Sequence, residues 1–342
     1  SNQRRATYTD NAGNEKFTDE YAWGATLQVV DGVLQVPRSD LDPEAERLSR
    51  LIEEVNSFCR NAGRNGWNNA GGPISGYVDA TFGGGFAGAY SSTGVNSCVF
   101  PRGGVNEFVC GHEVTHHLTW ITAGLEYVDE SGAANESYSD VFGALLIFGT
   151  GANFAGASPG SYLNYINKGK TDNGGVHTNS AILNRAATLL LGGSAGTAHT
   201  GIGRSKMARL YFETLTRRLT PWSQFIDVLH CTFAAARDLA ALAAPGLSFS
   251  MASNVPVSNF NGSEAGEVDW AFGQVGLSRR WTRGWFRVPG SSSSTQTHYP
   301  NPLVGGETVA DVTVFARNAS DNRANTLVRA TGPMADVNAA NS

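Results

Sequence analysis

Two histidines four residues apart, His112 and His116, with Glu113 between them, constrain this chain more than any other feature. On an α-helix such residues share a face, so both imidazoles can meet one ion at about 2.0–2.1 Å. Glu113 follows the first ring and reaches a ligand on that ion. The five-residue pattern His112-Glu113-Val114-Thr115-His116 arises by chance in roughly one chain in a hundred of this length. Alone it is equally a helix whose histidines cap or pack.

A third ligand shifts that balance. Twenty residues after His116 stands Glu136, within the stretch Ser131-Gly132-Ala133-Ala134-Asn135-Glu136-Ser137-Tyr138-Ser139-Asp140, which opens a second helix with Glu136 and Asp140 on one face. Glu136 completes a two-histidine, one-glutamate site with a fourth position left open, the pattern of a catalytic zinc. Asp140 is placed to accept the remaining N–H of a ligand imidazole and fix its tautomer. The alternative, a solvated helix face, fits poorly with Val141, Phe142, Leu145 and Leu146 beside it. Farther on, Asp172-Asn173-Gly174-Gly175-Val176-His177 precedes another helix. A histidine at a helix start beside a carboxylate can stabilise a developing oxyanion, although by itself it is more often a cap or surface residue.

The remaining text is β-like first and helical later. Runs over Ala25–Val30 and Val33–Val36 flank Asp31-Gly32, a hairpin signal. Asp40 or Asp42 then opens a helix whose Leu48, Leu51, Ile52, Val55 and Phe58 keep helical spacing. Helices are expected near 107–122, 132–149, 177–192, 204–218, 221–241 and 263–276. After Leu277 come Ser291–Ser294, linker-like, and strand alternation over Val309–Phe315. The fold class expected is α+β, with a seam near residue 122.

A net charge of −5 gives no reason to expect nucleic acid or an anionic membrane as partner. The longest apolar run, Val141–Phe148, is far short of the roughly 20 residues of a membrane span. The polar start, Ser1-Asn2-Gln3-Arg4-Arg5, reads as a processed or leaderless chain. Cys59, Cys98, Cys110 and Cys231 show no C-x-x-C spacing. Their even number suits an oxidising compartment, with Cys98–Cys110 the pair expected and four buried thiols the alternative.

The motifs, in their order, resemble the thermolysin family of neutral zinc metallopeptidases. The resemblance runs through His112-Glu113-Val114-Thr115-His116, Thr122-Ala123-Gly124-Leu125-Glu126-Tyr127 and Glu130–Glu136 with Ser139-Asp140. It continues at Asp172–Ser180, Gly201-Ile202-Gly203-Arg204, Leu219-Thr220-Pro221 and Ala271–Gly276, covering roughly residues 20–277. It implies a two-lobed fold with the cleft between the lobes. A β-rich N-terminal lobe would take residues 1–122 with the metal helix. An α-helical lobe would take 123–277, and 278–342 would form a linker and a small β appendage or tail. It implies one catalytic zinc on His112, His116 and Glu136, with Glu113 as general base to a metal-activated water. Asn135 and Asp140 would support the ligands, Tyr127 and His177 would hold the oxyanion, and Asp172 would orient His177. The activity implied is a secreted endopeptidase cutting before hydrophobic residues, acting on proteins or peptides and made with a cleaved pro-segment.

The chain also departs from that pattern. Gly88-Ala89-Tyr90 falls where the family's substrate-binding Asn-Ala pair is expected, so Ala89 and Gly88 are the substrate-binding candidates. The segment before Asp172 is short, and no arginine stands where the family braces the substrate carbonyl. Ile147 stands where the family's paired calcium site has a helix glutamate, and Asn106-Glu107-Phe108 replaces an aspartate near the metal helix, so the paired calcium site reads as lost and calcium dependence as doubtful. Two alternatives follow, a zinc peptidase of narrow or altered specificity and a catalytically silent zinc-containing binding module.

Overall fold

The structure, a computed structural model, describes residues 43–71, 74–78, 80, 88–93, 96–146, 159–166, 168, 171–247 and 257–279 with side chains, and strands within 6–35 and 282–333 as backbone. Backbone contacts divide the chain into Ser1–Val275 and Gly276–Ser342.

In the first unit, strands β1 (Ala6–Thr9) and β2 (Glu15–Phe17) precede a hairpin of β3 (Gln28–Val30) and β4 (Val33–Gln35). Val30 pairs with Val33 across Asp31-Gly32, as that dipeptide signals. Helix α1 (Pro43–Asn61) buries Leu48, Leu51, Ile52, Val55 and Phe58, the residues its periodicity selects. Strands β5 (Ser75–Val78), β6 (Tyr90–Ser92) and β7 (Ser97–Val99) complete a five-stranded sheet of order β2-β1-β5-β7-β6. The inner pairs β1–β5 and β5–β7 are parallel, and β6 closes one edge antiparallel to β7. Gly76 lets α1 settle on the sheet, since a Cβ there would lie 2.5 Å from the Leu48 side chain.

Six helices follow: α2 (Glu107–Ile121), α3 (Asp129–Leu146), α4 (Asp172–Gly192), α5 (Arg204–Arg217), α6 (Phe225–Ala241) and α7 (Ser263–Gln274). Every residue of α3 from Glu130 to Leu146 except Asp140 is buried, so α3 is the central helix. The Glu130 carboxylate accepts from Tyr162 Oη and from the Phe225 backbone N–H, both at 3.0 Å, joining its first turn to α6. Three helix starts differ from those expected, among them α4, which begins at Asp172 rather than 177. Helix α3 begins at Asp129 rather than 132. Helix α6 begins at Phe225 rather than 221, because Thr220 N–H donates to Ser223 Oγ at 2.9 Å and holds a turn there.

The cysteines correct another expectation: Cys59, Cys98, Cys110 and Cys231 are all free thiols. Cys59, Cys98 and Cys110 are fully buried and pack as small apolar groups. Burial pushes the Cys59 thiol up to about 12.

Away from these, Glu264 is buried at the start of α7 and pairs with Lys206 of α5. Burial raises its pKa, but the Lys206 ammonium and the backbone N–H groups of Asn261 and Gly262 outweigh this, and the net shift is downward. A lowered carboxyl pKa stabilises the fold above the unfolded value and loses that effect as pH falls through the folded one. Glu264→Gln is expected to cost about 3 kcal/mol at neutral pH, since it strands a partly buried ammonium. Denaturant titrations at pH 7 and pH 3 check this, because the gap to wild type narrows as falling pH protonates Glu264.

The second unit contains β8 (Thr282–Phe286), β9 (Thr295–Tyr299), β10 (Thr308–Arg317) and β11 (Ala324–Pro333). They form an antiparallel sheet of order β11-β10-β8-β9, with the expected alternating run inside β10. The linker-like Ser291–Ser294 and the substituted calcium position Ile147 lie outside the described residues.

Candidate metal centre

Helix α2 starts where the Asn106 side chain accepts from Val109 N–H at 3.0 Å, and this cap fixes the face its histidines present. Small residues then set how near α3 comes. A Cβ on Gly111 would lie 2.9 Å from Gly143 Cα, and one on Gly143 would lie 2.5 Å from the Phe108 carbonyl oxygen. Two facing glycines therefore allow backbone-to-backbone approach, and His112 and His116 of α2 meet Glu136 of α3.

The contacts form a triangle. His112 Nε2 lies 3.1 Å from His116 Nε2 and 3.3 Å from Glu136 Oε2, while His116 Nε2 lies 3.6 Å from Glu136 Oε1. Ligands bound at about 2.0–2.1 Å in a tetrahedron stand about 3.4 Å apart, so these edges fit one zinc-sized ion. The outer ring nitrogens decide what the inner ones offer. His112 Nδ1–H donates to Asp140 Oδ1 at 2.9 Å, and His116 Nδ1–H donates to Asn135 Oδ1 at 2.8 Å. Both Nε2 atoms thus turn lone pairs toward the Glu136 carboxylate. One shared proton satisfies a single pair of these acceptors, whereas one divalent cation satisfies all three.

The electrostatics point the same way. Burial opposes charge on His112, but the Asp140 and Glu136 carboxylates outweigh it and raise its pKa to about 10. Burial likewise opposes charge on Glu136, yet the three surrounding histidines hold it at about 2. The centre of the triangle favours positive charge. His117, next along the motif, is turned away, donating Nε2–H to the Ser97 carbonyl at 3.2 Å. Burial lowers its pKa to about 4, so it is a neutral core histidine.

Around the triangle lies a cleft of about 540 Å³ lined by Glu113, Tyr127, His177, Trp120, Glu126 and residues 89–91 and 93, among others. The Tyr127 hydroxyl donates to Glu136 Oε1 and lies 3.1 Å from His177 Nε2. Burial first, then the Glu136 charge, pushes the Tyr127 phenol far up, and it remains a donor. His177 sits in the first regular turn of α4, because Asn173, Gly174 and Gly175 take positive φ before it. Gly174 must be glycine here, since a Cβ would fall 2.1 Å from Asp129 Oδ1. Asp172 accepts from both His177 Nδ1 and His177 N–H, the latter at 3.2 Å.

All the catalytic and metal candidates therefore converge. Ala89 lines the cleft just before β6, whereas Gly88 is not among the lining residues. Sequence reasoning passed over Asn184, which donates to Asp140 Oδ2 at 2.7 Å, and Ser139, 3.2 Å from His116 Nδ1. Asn184 stands seven residues after His177, two turns along the same helix face, and its burial, which singles it out, is seen only in the structure. Ser91, Trp120 and Glu126 were missed as well.

The chain is similar to known proteins over part of its length. Residues 150–245 match the family described as thermolysin metallopeptidase, alpha-helical domain. Thermolysin of Alicyclobacillus acidocaldarius subsp. acidocaldarius is 41% identical over 163 residues, covering 40% of this chain and 30% of that protein. Thermostable neutral protease NprT of Geobacillus stearothermophilus is 40% identical over 163 residues, 40% of this chain and 29% of its own length. The chain thus spans about three tenths of the curated relatives it matches. Among solved structures, the precursor of protealysin, a metalloproteinase from Serratia proteamaculans, superposes with a TM-score of 0.55. It is 24% identical, covering 80% of this chain and 87% of that one, a likeness of fold.

Proposed function

We propose that this chain, whose recognisable relatives are the thermolysin-like metallopeptidases, is a zinc-dependent endopeptidase. The observation that carries the reading is the convergence of three lone-pair donors on one point, with Glu113, Tyr127 and His177 lining the same cleft. A bound zinc would supply Lewis acidity, polarising the scissile carbonyl and acidifying water. His112, His116 and Glu136 would hold it, with Asp140 and Asn135 fixing the imidazole tautomers.

The remaining chemistry belongs to side chains. Glu113 takes a proton from the attacking water and returns it to the leaving nitrogen. Tyr127 Oη offers its proton to the carbonyl oxygen as that oxygen gains charge. His177 has its Nδ1–H committed to Asp172, so its Nε2 donates to the same oxyanion once the ring carries its second proton. An extended peptide would lie along the edge strand β6, donating a backbone N–H to the Ala89 carbonyl. A preference for a hydrophobic residue after the cut, action outside the cell and removal of a pro-segment complete the proposal. Among the described residues no helix is long and apolar enough to cross a membrane. The two-lobed division at residue 122, with 278–342 as an extension, is part of the same reading.

A catalytically silent zinc module would not require Glu113, Tyr127, Asp172 and His177 around an open position. Digestion of a diverse peptide library, before and after zinc chelation and with zinc restored, separates the readings. Chelator-sensitive cutting that returns with zinc supports the peptidase. No cutting by fully zinc-loaded protein overturns it.

A further inference from the structure

One contact at the candidate base belongs to no role assigned so far. Ser91, the middle residue of the edge strand β6, faces α2, with its Oγ 2.7 Å from Glu113 Oε2 and 2.6 Å from the Glu113 carbonyl oxygen. Both acceptors belong to one residue, so the hydroxyl's single proton is held between the end of that side chain and its own helix backbone. Glu113 has three side-chain torsions to fix in reaching one carboxylate position, an entropic cost that a tether meets in advance. The strand supplies the rigidity, because Ser91 is paired with Cys98 of the neighbouring β7.

We infer that Ser91 is a positioning residue for the base, its hydroxyl anchoring Glu113 Oε2 so that Oε1 serves as the proton acceptor. The inference rests on the peptidase reading above, and it adds the element that aims the base. Hydroxyl chemistry allows the anchor to persist through a turnover. A serine has one proton and two lone pairs, so it donates to Oε2 while the carboxylate is ionised. After Glu113 has taken the water's proton, Oγ accepts from the carboxyl or turns its own proton to the Glu113 carbonyl. Ser91 ends each cycle with the proton it began with, and the transferred proton passes only from water to Glu113 to the leaving amine. The segment thereby does two jobs: Ala89, just before β6, lines the cleft where the peptide would lie, and Ser91 faces the base.

The test compares wild type, Ser91→Ala and Ser91→Thr, all fully zinc-loaded, on one chelator-sensitive peptide. Removing a hydrogen bond to a charged group should lower kcat of Ser91→Ala by roughly ten- to a hundredfold with KM little changed. Ser91→Thr keeps the hydroxyl on a residue suited to a strand and should recover most of the rate. Crystal structures supply a readout independent of turnover, with the Glu113 carboxylate in one position in wild type and Ser91→Thr and spread over several in Ser91→Ala. Wild-type kcat in Ser91→Ala, or a Glu113 carboxylate still held in one place there, overturns the role of Ser91 alone. An inactive zinc-loaded wild type overturns the peptidase reading and the positioning role with it.

Discussion

Glu113→Gln should retain its zinc and lose turnover by about a hundredfold or more. The carboxamide has nearly the shape of the carboxylate and can still hydrogen-bond to Ser91 Oγ, so little in the fold has reason to move. It cannot accept a proton from water, and that loss is the whole of the change. Zinc retention follows from geometry, since the three atoms that converge on one point belong to His112, His116 and Glu136 and none to Glu113. Zinc content by atomic absorption, set beside steady-state rates on one peptide, measures both halves of the statement. Full activity would move the base elsewhere in the cleft, and loss of zinc would make Glu113 part of the metal's support.

The centre was legible in sequence to the extent that helical periodicity carried it. His112 and His116 are one turn apart, Glu136 and Asp140 likewise, and Asp172 and His177 flank one helix start. Such spacings translate directly into shared faces. Asn184 obeys the same rule at two turns, but nothing in the chain marks a lone asparagine as facing a ligand's carboxylate. Ser91 could not be read at all, because its partner lies 22 residues away, on a helix, across a strand pairing. The sheet order was equally hidden. β1 lies parallel to β5 with α1 between them in sequence, and β-pairing over that distance leaves no periodic trace. The expected Cys98–Cys110 bridge failed for a related reason. Residue count and compartment suggested it, whereas in the structure both thiols are buried as apolar packing.

Gly143→Ala should weaken zinc binding by about a hundredfold or more and also lower stability, although residue 143 touches no ligand atom. The added methyl would stand 2.5 Å from the Phe108 carbonyl oxygen and 3.2 Å from His112 N, both backbone atoms of α2. Backbone cannot rotate aside as a side chain can, so α2 and α3 must separate, and overpacking of this kind costs about 1–3 kcal/mol. Separation acts along the line that joins the two histidines to Glu136, and the two edges that cross from α2 to α3, now at 3.3 and 3.6 Å, lengthen beyond what one ion spans. The reciprocal position behaves alike, since a Cβ on Gly111 would meet Gly143 Cα at 2.9 Å and Leu146 Cδ1 at 2.4 Å. Competition with a chelator of known affinity measures the zinc term, and thermal unfolding with and without added zinc measures the stability term. Gly273→Ala serves as the control, because a Cβ there meets nothing within 4 Å. If Gly143→Ala bound zinc as tightly as wild type, the close helix approach would not be what assembles the site.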